Sequence, residues 1–174
     1  GRCPTAGPRR EVVAPSLEED AGRLLVFWDG GEPLRKLSRK PLTSEDARRF
    51  WMFSPWVRRF ERGKCSTAVF AAGVVEELSL AISPDEFIAE FTGWDRGPLP
   101  GALELLEVLA PRFRLACLSN NNEIHWSKLR GTFERSFERC YLSHELGLIK
   151  PDPEIFRHAI SDLGCPADKI LFLD

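Results

Sequence analysis

The chain has 174 residues, of which 43% are hydrophobic and 29% are charged, and its net charge is −2 at pH 7. These proportions are those of a globular domain, and they exclude an intrinsically disordered chain. The near-neutral charge argues against a nucleic-acid partner, and the lack of an apolar run of about 20 residues argues against a membrane partner.

The cysteines indicate neither a disulfide framework nor a zinc site. Their number is odd, their spacing is irregular and they form no C-x-x-C pair. We therefore expect a reducing, cytoplasmic location. The sequence gives no indication of the oligomeric state. The five cysteines are Cys3, Cys65, Cys117, Cys140 and Cys165.

The two ends of the chain differ in character. Residues 1–22 are rich in Pro, Gly, Arg and Glu and show no period, which predicts a loop or a disordered tail. Residues 169–174 form an apolar run of strand length that ends in Asp174. A strand buried in a parallel sheet needs covering layers, and a following helix usually supplies one. We therefore expect the sequence to be a fragment cut at its C-terminus, and the alternative is an intact protein that ends on such a strand.

The first half of the chain predicts one short strand followed by helices. Residues 23–28 form an apolar run before Gly30 and Gly31, so residues 23–34 are a candidate first core strand. Residues 35–97 contain helix-starting patterns and no further strand, which predicts about four helices in a small helical subdomain. The expected helix starts lie at Thr43, Ser54-Pro55, Ser66 and Ser83-Pro84.

From residue 98 onwards the pattern changes to alternating helices and strands. Apolar residues at helical spacing predict helices over 102–109 and 152–163, and a third helix is expected over 123–129. Strands are predicted over 113–118, over 137–142 and near Ile170. This alternation predicts an α/β fold with a Rossmann-like parallel sheet in residues 98–174.

Polar side chains follow the predicted strands at the edge where such sheets bind ligands. Ser119 and Asn120 come directly after one strand, Lys150 lies in a loop before Pro151, and Asp174 ends the last strand. A hydroxyl, an amide and an ammonium group suit an anion, and a carboxylate suits Mg²⁺. Each also has a simpler explanation when taken alone. Ser119 and Asn120 would cap a helix, Lys150 would be a solvated charge, and Asp174 would be a turn residue.

These motifs resemble those of the haloacid dehalogenase-like (HAD) hydrolases. Leu118-Ser119-Asn120 is similar to the second motif of that family, residues 147–156 are similar to the third, and residues 171–174 are similar to the start of the fourth. Residues 54–63 resemble the helical cap of the subgroup that includes sugar-phosphate phosphatases. The resemblance covers about residues 50–174 and implies a HAD-like core with a helical cap at residues 35–97.

The resemblance also implies roles for the matching residues. Ser119 would hydrogen-bond the phosphoryl oxygens, Asn120 would orient the nucleophile or the substrate, and Lys150 would neutralise charge. Asp174 would belong to the Mg²⁺ site. The first motif of the family is an apolar strand that ends in a nucleophilic aspartate, and Asp29 is the candidate for it. The competing interpretation is that residues 23–34 belong to the cap or a linker.

The expected activity is a Mg²⁺-dependent phosphatase that acts on a small phosphorylated metabolite through an aspartyl-phosphate intermediate. One alternative is a haloacid dehalogenase, which needs no metal, and another is a catalytically inactive HAD-like binding domain. Two histidines near the motifs, His125 and His144, are expected to be structural or to line the pocket. The basic residues of the cap are expected to form a solvated face or to supply one contact to a substrate anion: Arg58, Arg59 and Arg62.

Overall fold

A computed structural model describes residues 25–173 of the chain. The predicted tail at residues 1–22 and the predicted metal ligand Asp174 lie outside the described residues. None of the helices between residues 25 and 173 is both long enough and apolar enough to cross a bilayer.

The first half of the described chain is a short strand followed by five helices, which we call the helical unit. Helix α1 was not expected from the sequence; it begins after Asp29, whose carboxylate accepts hydrogen bonds from the backbone of Gly31 and Glu32. The elements are β1 (Val26–Trp28), α1 (Gly31–Leu37), α2 (Ser44–Phe53), α3 (Pro55–Glu61), α4 (Thr67–Glu77) and α5 (Pro84–Thr92).

The predicted helix starts are confirmed by side-chain caps. The Thr43 and Ser83 hydroxyls accept hydrogen bonds from the backbone amides of Asp46 and Glu86, and both acids bond back to the cap residue. The Ser54 and Ser66 hydroxyls accept hydrogen bonds from the backbone amides of Trp56 and Val69 and so cap α3 and α4. These interactions join residues only two or three positions apart, which is why they are readable from the sequence.

The helical unit has its own aromatic core. The rings of Phe60 and Phe70 stack with centroids 4.2 Å apart. Phe87, Phe91 and Trp94 pack around this pair and are likewise buried. The aromatic residues of this region therefore hold the helices together.

A two-stranded antiparallel ribbon joins the two ends of the helical unit. β1 pairs with β2 (Asp95–Pro98), with Val26 opposite Pro98 and Trp28 opposite Asp95. The ribbon brings the chain that enters the helical unit beside the chain that leaves it.

The second half is an α/β unit that confirms the predicted fold class. β3 and β4 pair in parallel, in register from Ala116 opposite Arg139 to Ser119 opposite Leu142. Helix α7 runs further than expected, and the short helix α8 was not foreseen. The elements are α6 (Ala102–Leu109), β3 (Ala116–Ser119), α7 (Glu123–Phe133), β4 (Arg139–Leu142), α8 (Ser143–Leu146) and α9 (Pro153–Leu163).

The strand predicted near Ile170 is wrong for the described residues. Residues 170–173 pair with neither β3 nor β4 and have no regular structure. Leu171 is 64% exposed and Phe172 is 45% exposed. An apolar run becomes a strand only when a neighbouring strand accepts its hydrogen bonds, and the described residues supply none here.

Candidate active site

Ser119 lies at the carboxyl end of β3, as the sequence predicted. Its register partner on β4 is Leu142, so both parallel strands end at the same edge. The half-buried Ser119 hydroxyl donates a hydrogen bond of 3.3 Å to the carbonyl oxygen of Asn120. The hydroxyl therefore lies where ligands bind in sheets of this kind.

The structure brings Asn120 and Lys150 into direct contact. The Asn120 Nδ2 donates to the carbonyl oxygen of Lys150 at 3.0 Å, and the Asn120 Oδ1 accepts from the amide nitrogen of Lys150 at 2.8 Å. Both ends of the amide group thus bind one residue, 30 positions along the chain. This pair of bonds fixes the loop after β3 to the loop before α9.

Ser119 and Asn120 do not cap the following helix. The N-cap of α7 is Asn122, whose side chain accepts a hydrogen bond from the His125 amide at 3.1 Å. The alternative interpretation of Ser119 and Asn120 as a helix cap is therefore wrong, and their polar groups remain at the edge of the sheet.

Sequence reasoning missed Ser143, which is fully buried at the end of β4. The Asn121 amide donates to the Ser143 Oγ at 2.8 Å, and that hydroxyl donates to the carbonyl oxygen of Asn121 at 3.0 Å. These two bonds hold the loop that carries Asn120 against the end of the neighbouring strand. A serine directly after a predicted strand was the available indication.

The Lys150 side chain contacts the last described residues of the chain. Its ammonium nitrogen lies 5.5 Å from the centroid of the Phe172 ring, a cation–π distance. Its charge also acts on Glu61 at the end of α3, where burial raises the pKa to about 8 although Arg58 and Lys150 act in the opposite direction. Glu61 is therefore mostly protonated at pH 7, so it does not cancel the positive charge of Lys150.

The expectation of a solvated basic face is wrong for two of the three arginines. Arg58 donates to both carboxylate oxygens of Asp152, at 3.1 and 3.3 Å. Arg62 pairs with the same carboxylate. Arg59 instead lies over the Trp56 ring, at 5.3 Å from its centroid. Two arginines of the helical unit therefore bind the segment that carries Lys150.

Asp29 lies at the end of β1, in the antiparallel ribbon. Its backbone amide bonds to the carbonyl oxygen of Trp94 at 3.3 Å, and its side chain begins α1. β1 pairs with β2 and, within residues 25–173, with no strand of the parallel pair. Whether Asp29 is the nucleophile therefore stays a prediction.

His125 is a packing residue that joins the two units. Its Nε2 lies 2.8 Å from the carbonyl oxygen of Phe91 and its Nδ1 lies 3.2 Å from the Asn122 side-chain nitrogen. Because a carbonyl only accepts, the Nε2 carries the proton and the Nδ1 accepts from the amide. Burial lowers the pKa of His125, which is consistent with a neutral ring.

The described residues alone hold no cluster of metal ligands. Between residues 25 and 173, no group of three His, Cys, Asp or Glu side chains is placed to hold a metal ion. Mg²⁺ is usually bound by one or two carboxylates together with waters and substrate phosphate, so the predicted site depends on Asp174, which is not described.

The family model of the haloacid dehalogenase-like hydrolases matches residues 32–174. The chain therefore belongs to this family of hydrolases, as its motifs suggested.

Similar proteins are found among curated sequences and solved structures. An uncharacterised protein of Saccharomyces cerevisiae is 37% identical over 90 residues, 46% of this chain and 30% of that protein. The chain thus matches less than a third of that relative. The HAD family enzyme BT-2542 of Bacteroides thetaiotaomicron is 27% identical, with a TM-score of 0.65 over 83% of this chain and 76% of that one. Another BT-2542 structure, 25% identical with a TM-score of 0.63 over the same shares, is a complex with magnesium and inorganic phosphate.

Proposed function

We propose that the protein is a Mg²⁺-dependent phosphatase that acts on a small phosphorylated metabolite through an aspartyl-phosphate intermediate. The contact between Asn120 and Lys150 carries the proposal, because it joins the two motifs that would grip a phosphoryl group. The magnesium and phosphate bound by BT-2542 give further support.

Each residue at the edge of the sheet has a specific role in this proposal. The Ser119 hydroxyl donates a hydrogen bond to a phosphoryl oxygen, and the Lys150 ammonium group offsets the charge that is transferred. Asn120 holds the backbone of Lys150 and so fixes the direction of its side chain. Phosphoryl transfer depends mainly on positioning and on charge stabilisation, which these groups supply. We propose Asp174 as a ligand of the Mg²⁺ ion, which would add positive charge.

Phosphate release from a panel of phosphorylated metabolites tests the proposal. We expect release that requires Mg²⁺ and stops with EDTA, because the metal offsets the negative charge of the ester. Parallel assays measure halide release from 2-haloacids. Metal-independent halide release without phosphate release would establish a dehalogenase and overturn the proposal.

A second candidate function, a HAD-like binding domain without catalysis, is favoured by the position of Asp29. Its strand pairs with β2, and its carboxylate is engaged by the start of α1. Replacing Asp29 by Asn tests this, because the side-chain oxygen of Asn still accepts bonds from the start of α1 but the amide is not a nucleophile. If Asp29 is the nucleophile, phosphate release should fall below about one-thousandth of the original rate. Unchanged release would place the nucleophile elsewhere, and the absence of turnover in both proteins would favour the binding domain.

A further inference from the structure

Asp152 occupies a position at which aspartate normally caps a helix. It is the N-cap residue of α9, directly before Pro153. Asp is among the preferred N-cap residues because its carboxylate accepts hydrogen bonds from the first turn. In this structure the Asp152 side chain makes no such bond. Its carboxylate is therefore available to bind other groups.

The carboxylate of Asp152 binds the helical unit instead. Arg58 on α3 and Arg62 directly after that helix both pair with it, from 94 and 90 positions away in the chain. The three side chains are each about one-third exposed. A carboxylate shared by two guanidinium groups is a charge-assisted contact with defined geometry.

A second contact at the same place holds the two units together. Gly63 has a left-handed backbone conformation, with φ of +62°. A side chain at this position would clash with the carbonyl oxygen of His144 on α8. The chain directly after α3 thus approaches the backbone of the α/β unit closely.

We propose that Asp152 is a positioning residue, which docks α3 against the loop that carries Lys150 by binding Arg58 and Arg62. The two ion pairs tie this loop to the helical unit, so they hold Lys150 in a defined position relative to Ser119 before substrate binds. The expected effect of Asp152 on KM rests on the proposed function, whereas the docking of α3 does not.

Two substitutions separate docking from helix capping. Asp152→Asn keeps a good N-cap residue but removes the charge, whereas Asp152→Glu keeps the charge but is a poorer N-cap. If Asp152 docks α3, the Asn variant should show hydrogen exchange in residues 55–61 that is about tenfold faster, and the Glu variant should stay within about threefold of the parent. If Asp152 only caps α9, Asn should behave like the parent and Glu should accelerate exchange in residues 153–157 alone.

Kinetics on the same variants add a measurement that depends on the proposed function. The Asn variant should raise KM about tenfold and leave kcat within about twofold, because saturating substrate restores the population in which the loop of Lys150 is docked on α3. Glu138→Gln is the matched control, since it breaks the Arg114–Glu138 ion pair within the α/β unit. Exchange in α3 that is unchanged in Asp152→Asn would overturn the docking proposal. Faster exchange without measurable phosphate release from any variant would leave docking intact and would contradict only the proposed function.

Discussion

Replacing Lys150 by alanine should lower phosphate release about a thousandfold without unfolding the protein. The ammonium group is proposed to lie beside the transferring phosphoryl group, where a fixed charge stabilises the transition state more than the bound substrate. Because Glu61 is mostly protonated at pH 7, the positive charge of Lys150 is not cancelled by that neighbour. The measurement is kcat/KM at saturating Mg²⁺, together with a thermal melt.

Lys36→Ala is the matched control for this substitution. Lys36 is exposed and pairs only weakly with Glu32 one helical turn away, so its loss should change kcat/KM by less than about twofold. The Asn120 bonds reach the backbone of Lys150, so they survive in Lys150→Ala and the loop should keep its place. Full phosphate release by Lys150→Ala would contradict the assigned role of the ammonium group.

The helices were predictable because their determinants are local. The capping boxes at Thr43 and Ser83 lie within four residues of chain, and the structure contains both. The final apolar run was misread because strand formation depends on a partner strand. Helix α1 was missed because the Asp29 carboxylate was interpreted as a nucleophile. In the structure it accepts a hydrogen bond from the first residue of that helix.

The candidate site was predictable in its composition but not in its contacts. Parallel strands end at a common edge, so Ser119 and Asn120 were expected near Lys150. The bonds of Asn120 to the Lys150 backbone depend on the path of a loop 30 residues away, which no local pattern specifies. The contact between Arg58 and Asp152 also joins residues far apart in the chain. The spacing of the arginines along α3 does not predict which acidic residue they bind.

The aromatic core of the helical unit is also built from contacts between distant residues, and it supports the position of α3. Phe70 is 1% exposed, and its ring stacks on Phe60, the α3 residue next to Glu61. It also contacts Phe91 at a centroid distance of 5.4 Å. The position from which Arg58 and Arg62 reach Asp152 therefore depends on the packing of Phe60, on the same helix, against this core.

Phe70→Ala should lower the free energy of unfolding by about 3–5 kcal/mol, because it removes a buried ring and leaves a cavity among the other aromatic residues. Phe70→Leu fills most of that space and should cost about half as much. Met52→Ala is the control, since Met52 is 55% exposed on the neighbouring helix α2 and its loss should change stability by less than about 0.5 kcal/mol. Urea unfolding followed by tryptophan fluorescence measures all three differences. A loss below about 1 kcal/mol in Phe70→Ala would mean that α3 is held by its contacts with the α/β unit and not by this core.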